Sequence, residues 1–363
     1  MQYKFAGNAA GLRPHAKLRA RSARRVRGVL RHALRQLAPR RSLSLALQGG
    51  GSFGAFTWGV LDRLLEKDRI AFDTISGSSA GAVNAVLLAS GLAEGGPRTA
   101  REKLDRFWRR MSNAGSLGPF SSFGGGMAAS AAFSLSKLIS PYQFNPLGLN
   151  PLRDILAEEV NFARLRAGSP AHLLIAATRV RDGSARLFRT HEITLDVVLA
   201  SACLPQLHHA VEIDGEWYWD GGFSANPPLR QLALDSMTPD LLLVQIMPEA
   251  TEDALPRLSD GISRRMKEMS INFPLQKEIE ALDELCAFCK QAGLLRPRFC
   301  RKLERLRLHR LIAERELPSL RLASPVNLEW SFLNRLKRAG GSAAERWLAD
   351  LRRSRSEPSR DRD

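Results

Sequence analysis

The sequence predicts an α/β protein with a mixed central sheet, and two observations support this prediction. Apolar runs of strand length alternate with helical segments that have one apolar face, which is typical of strands connected by helices. Asp-Gly pairs at 182–183 and 214–215 each separate two short strand-like segments and predict β-hairpins. Because hairpins pair strands antiparallel, we expect the sheet to be mixed rather than fully parallel.

The elements are predicted in order along the chain. The segment "SLSLALQ" (42–48) predicts a buried strand, and residues 55–67 predict a helix with one apolar face. A second strand, "IAFDTISG", precedes a helix that we expect to close at Gly91. The later predicted elements are hairpin strands in 171–180 and 185–190, a helix over 194–203, hairpin strands in 210–213 and 216–219, a buried strand in 240–247, helical structure over 261–300, a strand or helix at 305–312, and two helices within 326–353.

Charge and composition divide the chain into four segments. They are a basic arm (1–41), an α/β domain (42–250), a mainly helical extension (251–350) and a charged, disordered tail (351–363). Within the α/β domain, residues 113–130 are rich in Gly, Ser and Phe, which fits either a mobile flap or a surface linker.

The basic arm carries most of the formal net charge of +17. Residues 1–42 contain twelve Lys and Arg residues and no acidic residue, and apolar residues recur between them at roughly helical spacing. Three interpretations remain open: an amphipathic helix that contacts an anionic membrane, a disordered arm, and a cleaved organellar presequence. Only the charge of the arm points to nucleic acid as a partner. Because no aromatic residues are interleaved with that charge, we do not expect nucleic-acid binding.

Cysteine content and hydropathy favour a cytoplasmic protein. No apolar run reaches the roughly 18 residues of a membrane span, and the N-terminus lacks the apolar stretch of a secretory signal. The four cysteines are too few for a disulfide scaffold and fit a reduced compartment. Cys286 and Cys289 are interpreted as one face of a helix, and we expect no metal and no cofactor. We therefore expect a cytoplasmic location, to which the amphipathic-helix interpretation of residues 1–41 would add peripheral contact with an anionic membrane.

Residues 77–81, "GSSAG", match the G-x-S-x-G pattern of a nucleophile elbow. A predicted strand precedes the pattern and a predicted helix follows it, which is the context this motif requires. Gly77 and Gly81 are small enough for a sharp strand-to-helix turn. Ser79 is therefore the candidate nucleophile, at a helix N-terminus that favours developing negative charge.

A glycine-rich loop, "GGGSFG", follows the first predicted strand. Bare backbone N–H groups are what an oxyanion hole requires, and the candidate donors are Gly49, Gly50, Gly51, Ser52 and Gly54. The same glycines also match the dinucleotide fingerprint G-x-G-x-x-G, with Asp68 or Asp73 as its acidic residue. The nucleophile elbow on the next strand favours the oxyanion hole.

Asp220 is the candidate base. It follows a strand rich in aromatic residues and precedes Gly221 and Gly222, which free the backbone to direct the carboxylate toward a partner. None of the seven histidines lies in the glycine-flanked loop expected of a catalytic histidine.

Together, "GGGSFG", "GSSAG" and "DGG", in this order within residues 42–250, resemble the patatin-like phospholipase family, and residues 260–350 resemble a C-terminal extension of some bacterial members. The resemblance implies a three-layer α/β/α fold and acyl-ester hydrolysis on lipids. It also implies a Ser-Asp dyad without histidine, in which Ser79 is the nucleophile and Asp220 the base. Gly50 and Gly51 would donate hydrogen bonds to the oxyanion.

One position departs from the family pattern. Where a typical member carries Arg or Lys in the glycine motif, this chain has Phe53. Arg63 or another arginine is the candidate replacement. Phe53 and the basic arm also support an alternative function, a non-catalytic lipid- or membrane-binding protein that retains the fold.

Overall fold

An eight-stranded mixed sheet forms the centre of the chain in a computed structural model that describes residues 41–66, 70–117, 140–248, 255–291 and 297–356. The described residues from 42 onward form one compact unit. Residues 1–40, 118–139 and 357–363 lie outside the described residues, so the predictions for the arm, for most of the Gly- and Ser-rich segment and for the end of the tail stay predictions.

The strands are β1 (Arg41–Leu47), β2 (Ile70–Gly77), β3 (His172–Arg179), β4 (Ala185–Arg189), β5 (Val211–Ile213), β6 (Glu216–Asp220), β7 (Asp240–Gln245) and β8 (Arg307–Ile312). Their order in the sheet is β5-β6-β3-β2-β1-β7-β8, and β4 also pairs with β3. The pairs β1/β7, β2/β3 and β7/β8 are parallel, whereas β3/β4, β3/β6 and β5/β6 are antiparallel. Both predicted hairpins, and with them the mixed sheet, are confirmed.

The α-helices are α1 (Gly54–Leu65), α2 (Ala80–Gly95), α3 (Pro97–Leu117), α4 (Pro141–Phe144), α5 (Pro151–Glu159), α6 (Phe162–Gly168), α7 (Leu195–Ser201), α8 (Leu229–Asp235), α9 (Ser259–Gln291), α10 (Arg298–Leu303), α11 (Ala313–Glu316) and α12 (Trp330–Ser356). Short 3-10 turns cover Gly51–Phe53, Thr190–Glu192, Gly221–Phe223 and Pro318–Leu322.

Side-chain alternation along the strands builds a core on each face of the sheet. Successive residues of a strand point to opposite faces. In the larger core, strand residues pack against helices α1, α2, α3 and α12. These strand residues include Leu43, Leu45, Leu47, Leu242 and Val244. In the smaller core, strand residues that point to the opposite face pack against α8, α9 and α10. These include Ala46, Leu241 and Leu243. Helices thus cover both faces, and the expected three-layer α/β/α fold is confirmed.

Two predicted helix boundaries were wrong, and close packing explains both. The α2 helix continues past Gly91 to Gly95, because Gly91 lies against the backbone of Ala100, where a Cβ would come within 2.2 Å of the Ala100 Cα. The predicted helical pair at 326–353 is one continuous helix, α12. Its Gly340 does not break the helix but packs on α1, where a Cβ would lie 2.0 Å from the Phe56 carbonyl oxygen.

The C-terminal part of the chain joins the sheet and contains a disulfide. The ambiguous segment at 305–312 is a strand, β8, which pairs in parallel with β7. Cys289 at the end of α9 is bonded to Cys300 in α10. This bond was not expected, because a reduced compartment was predicted from the cysteine count. Cys203 and Cys286 are free.

Candidate active site

Ser79 occupies a sharp turn between β2 and α2. Its backbone has φ 53° and ψ −125°, a conformation that is strained for a residue with a side chain. Serine at a helix N-cap usually bonds to a backbone N–H of the first turn, but the Ser79 side chain makes no such bond. The hydroxyl of this half-buried residue is therefore available to another group.

The glycine loop lies directly against this turn. A Cβ placed on Gly49 would come within 2.8 Å of the Ser79 Cβ, so no other residue type fits this position without displacement. The start of α2 also lies close to the end of β1, since a Cβ on Gly81 would lie 2.0 Å from the Leu47 carbonyl oxygen. Gly81 and Gly49 therefore let the loop after β1 and the start of α2 come into contact.

The structure distinguishes the five predicted amide donors. Three already donate within the protein: Gly49 N–H to Asn226 Oδ1 at 2.7 Å, Ser52 N–H to the Pro325 carbonyl at 2.8 Å, and Gly54 N–H to the Gly51 carbonyl. The N–H groups of Gly50 and Gly51 have no acceptor among the described residues. These two amides remain free to bind a ligand oxygen.

Asp220 ends strand β6 and is held by backbone contacts. Its N–H donates to the Cys203 carbonyl at 2.8 Å, and its Oδ1 accepts from Gly222 N–H at 2.7 Å. The side chain is almost fully buried, at 3% exposure. Burial raises the Asp220 pKa to about 6, against the smaller lowering effects of the Ser79 hydroxyl and Gly222 N–H.

The second carboxylate oxygen of Asp220, Oδ2, is not engaged by the backbone contacts that hold Oδ1. Oδ2 is buried and forms no fully aligned hydrogen bond with a described residue, although the Ser79 hydroxyl is near enough to lower the Asp220 pKa. Catalytic hydrogen bonds are often loose before substrate binds. The structure thus brings Ser79, Asp220 and the glycine loop to one place.

The cysteine and the histidines near this site do not provide an alternative nucleophile or base in the described part of the chain. Burial and the nearby Asp220 raise the pKa of Cys203 to about 12, so its thiol stays protonated. Among the described residues, no histidine bonds to Ser79 or Asp220: His209 contacts the Pro141 carbonyl, and His309 contacts Asp240. In the same part of the chain, no cluster of His, Cys, Asp and Glu has an arrangement suited to a metal ion.

Two buried asparagines, which the sequence-based prediction did not include, hold the glycine loop. Asn226 accepts from Gly49 N–H, and its Nδ2 contacts the Gly49 carbonyl at 3.5 Å. Asn84 in α2 donates to the Gly54 carbonyl at 3.1 Å and accepts from the Trp108 indole. The loop is therefore fixed at both ends. The pair Asn226-Pro227 soon after "DGG" was the available signal for the first of these residues.

Phe53 places no charge near the loop. It is buried in the larger core, with its ring centroid 6.2 Å from that of Phe332 in α12. Arg63, the candidate replacement for a loop cation, is bonded instead to Glu66 and Glu345. Neither residue offers a free cation to a substrate.

The family model for patatin-like phospholipase matches residues 45–233, just over half of the chain. The chain belongs to the patatin-like phospholipase family. The matched range contains the glycine loop, the elbow at Ser79 and Asp220. A search of curated protein sequences gave no match.

Solved structures with similarity to this patatin-like chain include bacterial proteins. VipD from Legionella pneumophila has 16% identity and a TM-score of 0.41, with 86% of this chain and 67% of VipD covered. The type III effector ExoU has 17% identity and a TM-score of 0.25, with coverage of 86% and 80%. The ExoU–SpcU complex from the type III secretion system of Pseudomonas aeruginosa also has 17% identity and a TM-score of 0.25, with coverage of 87% and 60%.

Membership of the patatin-like phospholipase family indicates a lipid hydrolase. None of the helices in the described part of the chain combines the length and apolar character needed to span a bilayer.

Proposed function

We propose that this protein is a serine lipid acyl hydrolase, a phospholipase A-like carboxylic ester hydrolase that uses Ser79 and Asp220 as a catalytic dyad. The observation that carries the proposal is the meeting of Ser79, an otherwise unpartnered carboxylate oxygen and two free backbone amides within one site. Such a site provides a nucleophile, a base and an oxyanion hole, the three parts that acyl transfer requires.

The reaction has two balanced halves. In the first, the Ser79 hydroxyl proton moves to Asp220 as Oγ attacks the ester carbonyl, and the oxyanion is bound by the N–H groups of Gly50 and Gly51. Collapse forms the acyl-serine, and the leaving alcohol takes the proton from Asp220. In the second half, water gives a proton to Asp220 as it attacks the acyl-serine carbonyl. The resulting tetrahedral intermediate breaks down to the carboxylic acid, and Asp220 returns the proton to Ser79.

A lipid or related acyl ester is the proposed substrate, because the family is described as patatin-like phospholipase. Contact between the basic arm (1–41) and an anionic membrane surface would bring the site to such substrates.

A second candidate function is a non-catalytic lipid-binding protein. The observation that favours it is Phe53, whose buried ring replaces the cation expected in the glycine loop. A protein of this kind would retain the site geometry without forming an acyl-serine.

Ser79→Ala and Asp220→Asn test the enzyme directly. We expect each to lower kcat/KM on a soluble short-chain ester by roughly a thousandfold or more, because each removes one partner of the acyl-transfer step. A fluorophosphonate probe should label the wild-type protein at Ser79, with the labelled residue identified by mass spectrometry.

Ser76→Ala is the matched control. Ser76 lies near the end of β2, three residues before Ser79; it is fully buried, and its Oγ has no hydrogen-bond partner among the described residues, so its removal should leave the rate unchanged. Equal hydrolysis by wild type and Ser79→Ala would reject the dyad. Lipid binding without covalent labelling at Ser79 would favour the non-catalytic function.

A further inference from the structure

Helix α9 has an apolar face that no described residue covers. Its inward face places Leu275, Leu282 and Cys289 in the smaller core. The first half of the helix, together with Leu258 just before it, also exposes large apolar side chains, which we call the α9 stripe: Leu258 at 80% exposure, Ile262 at 44%, Met266 at 64%, Met269 at 57% and Phe273 at 57%.

Four members of the α9 stripe lie along one line of the helix, before Pro274. At about 100° per residue, Ile262, Met266, Met269 and Phe273 fall within an arc of about 60°, on the side opposite to Ile271, which packs against the larger core. A helix with one buried face usually has a polar face toward water. Four large apolar side chains in one exposed row instead indicate a contact surface.

The same helical segment adjoins the candidate active site. The Ile271 carbonyl accepts from Asn226 Nδ2 at 3.3 Å, and Asn226 in turn holds Gly49. The helix also contacts the turn Gly221–Phe223 that follows Asp220, where Phe223 is 41% exposed. An α-helix with its side chains is about 10–12 Å across. A surface bound to the α9 stripe would therefore lie about one helix diameter from Asn226, the residue that holds the glycine loop.

The charge around the α9 stripe is basic. Residues 255–277 contain five Lys and Arg residues against two acidic ones, a net charge of +3. Lys277 places its Nζ 5.4 Å from the centre of the Phe273 ring and is also paired with Glu280, as Arg265 is with Glu268. A helix with apolar side chains and a basic surround is typical of segments that lie in the interface of an anionic bilayer.

We propose that the α9 stripe docks the protein on an anionic phospholipid surface and so presents acyl esters to the site at Ser79. This inference rests on the proposed function for the identity of the substrate surface. A second copy of the chain fits the stripe less well, because self-association through it would bring two segments of like charge together, whereas anionic head groups complement them.

The test uses the full chain carrying Ser79→Ala, so that vesicles stay intact, and compares it with Met266→Asp/Met269→Asp in the same background. Binding is measured by flotation with vesicles of phosphatidylcholine alone and with added phosphatidylglycerol, at physiological and high ionic strength. We expect the double variant to bind the mixed vesicles about tenfold more weakly or worse. The loss should persist at high ionic strength, where contacts made by the basic arm are screened.

Met237→Asp is the matched control, because Met237 is 85% exposed and lies outside the stripe. It should bind vesicles as the parent does. With Ser79 intact, the double variant should hydrolyse a soluble short-chain ester at the parental rate, which also shows that it is folded, but lose hydrolysis of vesicle phospholipid.

Vesicle binding equal to the parent would overturn the proposal. A second outcome would also overturn it: the parent protein is a dimer by light scattering, the double variant is a monomer, and both bind vesicles equally. A second copy of the chain would then be the partner that covers the stripe. A failure of the proposed function gives a different result from a failure of docking. If the proposed function is wrong, ester hydrolysis does not depend on Ser79; docking is judged from vesicle binding alone.

Discussion

Burial determines the chemistry of Asp220. An ordinary aspartate is a weak base at neutral pH, but desolvation raises the pKa of Asp220 to about 6. The carboxylate is then still ionised at pH 7 and takes up a proton more readily than an exposed one. This makes it better matched to general-base catalysis without an imidazole.

The pH dependence of catalysis tests this assignment. Only the ionised form of Asp220 accepts the Ser79 proton, so kcat/KM on a soluble ester should be flat above about pH 7 and fall about tenfold per pH unit well below pH 6. The measurement is a pH–rate profile between about pH 4 and 8, using a substrate that does not itself titrate. A fall that begins only near the ordinary aspartate pKa of 3.8 would contradict the role of burial.

Sequence motifs identified the candidate reacting groups but not the residues that support them. Ser79, Asp220 and the glycine loop lie in short patterns whose local chemistry is readable from residue types. Asn226 is 177 residues from Gly49, and its role depends on a contact between distant loops. The same limit applies to the five candidate donors, because only the folded chain shows which amides already have acceptors.

At the scale of elements, most strands were predictable and the end of the chain was not. The β2 strand has the predicted boundaries, and both hairpins follow from Asp-Gly turns. Residues 326–353 were predicted to form two helices, but α12 is continuous through Gly340 and Gly341. Glycine in a helix signals either a break or a close approach of another backbone, and the sequence alone does not distinguish these.

The crossing of α1 and α12 provides a test with its own control. A Cβ on Gly340 would lie 2.0 Å from the Phe56 carbonyl oxygen, whereas a Cβ on the adjacent Gly341 would meet only the Gly59 carbonyl at 3.7 Å, an ordinary contact. We expect Gly340→Ala to lower the free energy of unfolding by about 1–3 kcal/mol. Gly341→Ala should raise it by about 0.5–1 kcal/mol through helix propensity.

Urea denaturation of both variants measures these effects. If Gly340→Ala proved as stable as Gly341→Ala, the helices would not be in backbone contact, and the two-helix prediction for residues 326–353 would regain support.

At the scale of the whole molecule, the candidate site is a source of instability. Asp220 is buried as a carboxylate at neutral pH with one oxygen lacking an aligned partner, and buried unpaired charge opposes folding. Most of the surrounding core is apolar and well packed, so the fold tolerates this cost. Sites that require strained or desolvated groups commonly reduce stability in exchange for activity.

The pH dependence of global stability follows from the same group. The folded pKa of about 6 lies above the unfolded value of 3.8, so the folded state binds the proton more tightly. Its contribution to stability is therefore full below about pH 4 and is lost as pH rises through 6. The shift of about two pKa units corresponds to roughly 3 kcal/mol.

Asp220→Asn removes this titration and keeps a side-chain oxygen that can accept from Gly222 N–H. The variant should be inactive, yet its free energy of unfolding relative to wild type should increase between pH 4 and pH 8 by up to about 3 kcal/mol. Urea denaturation across this range measures the difference. Ser79→Ala keeps the carboxylate but removes the hydroxyl that lowers its pKa, so it should lose at least as much stability between pH 4 and pH 8 as the wild type does. A difference that does not change with pH would mean that Asp220 is not desolvated in the folded protein, and the physical basis for using it as a base at neutral pH would be lost.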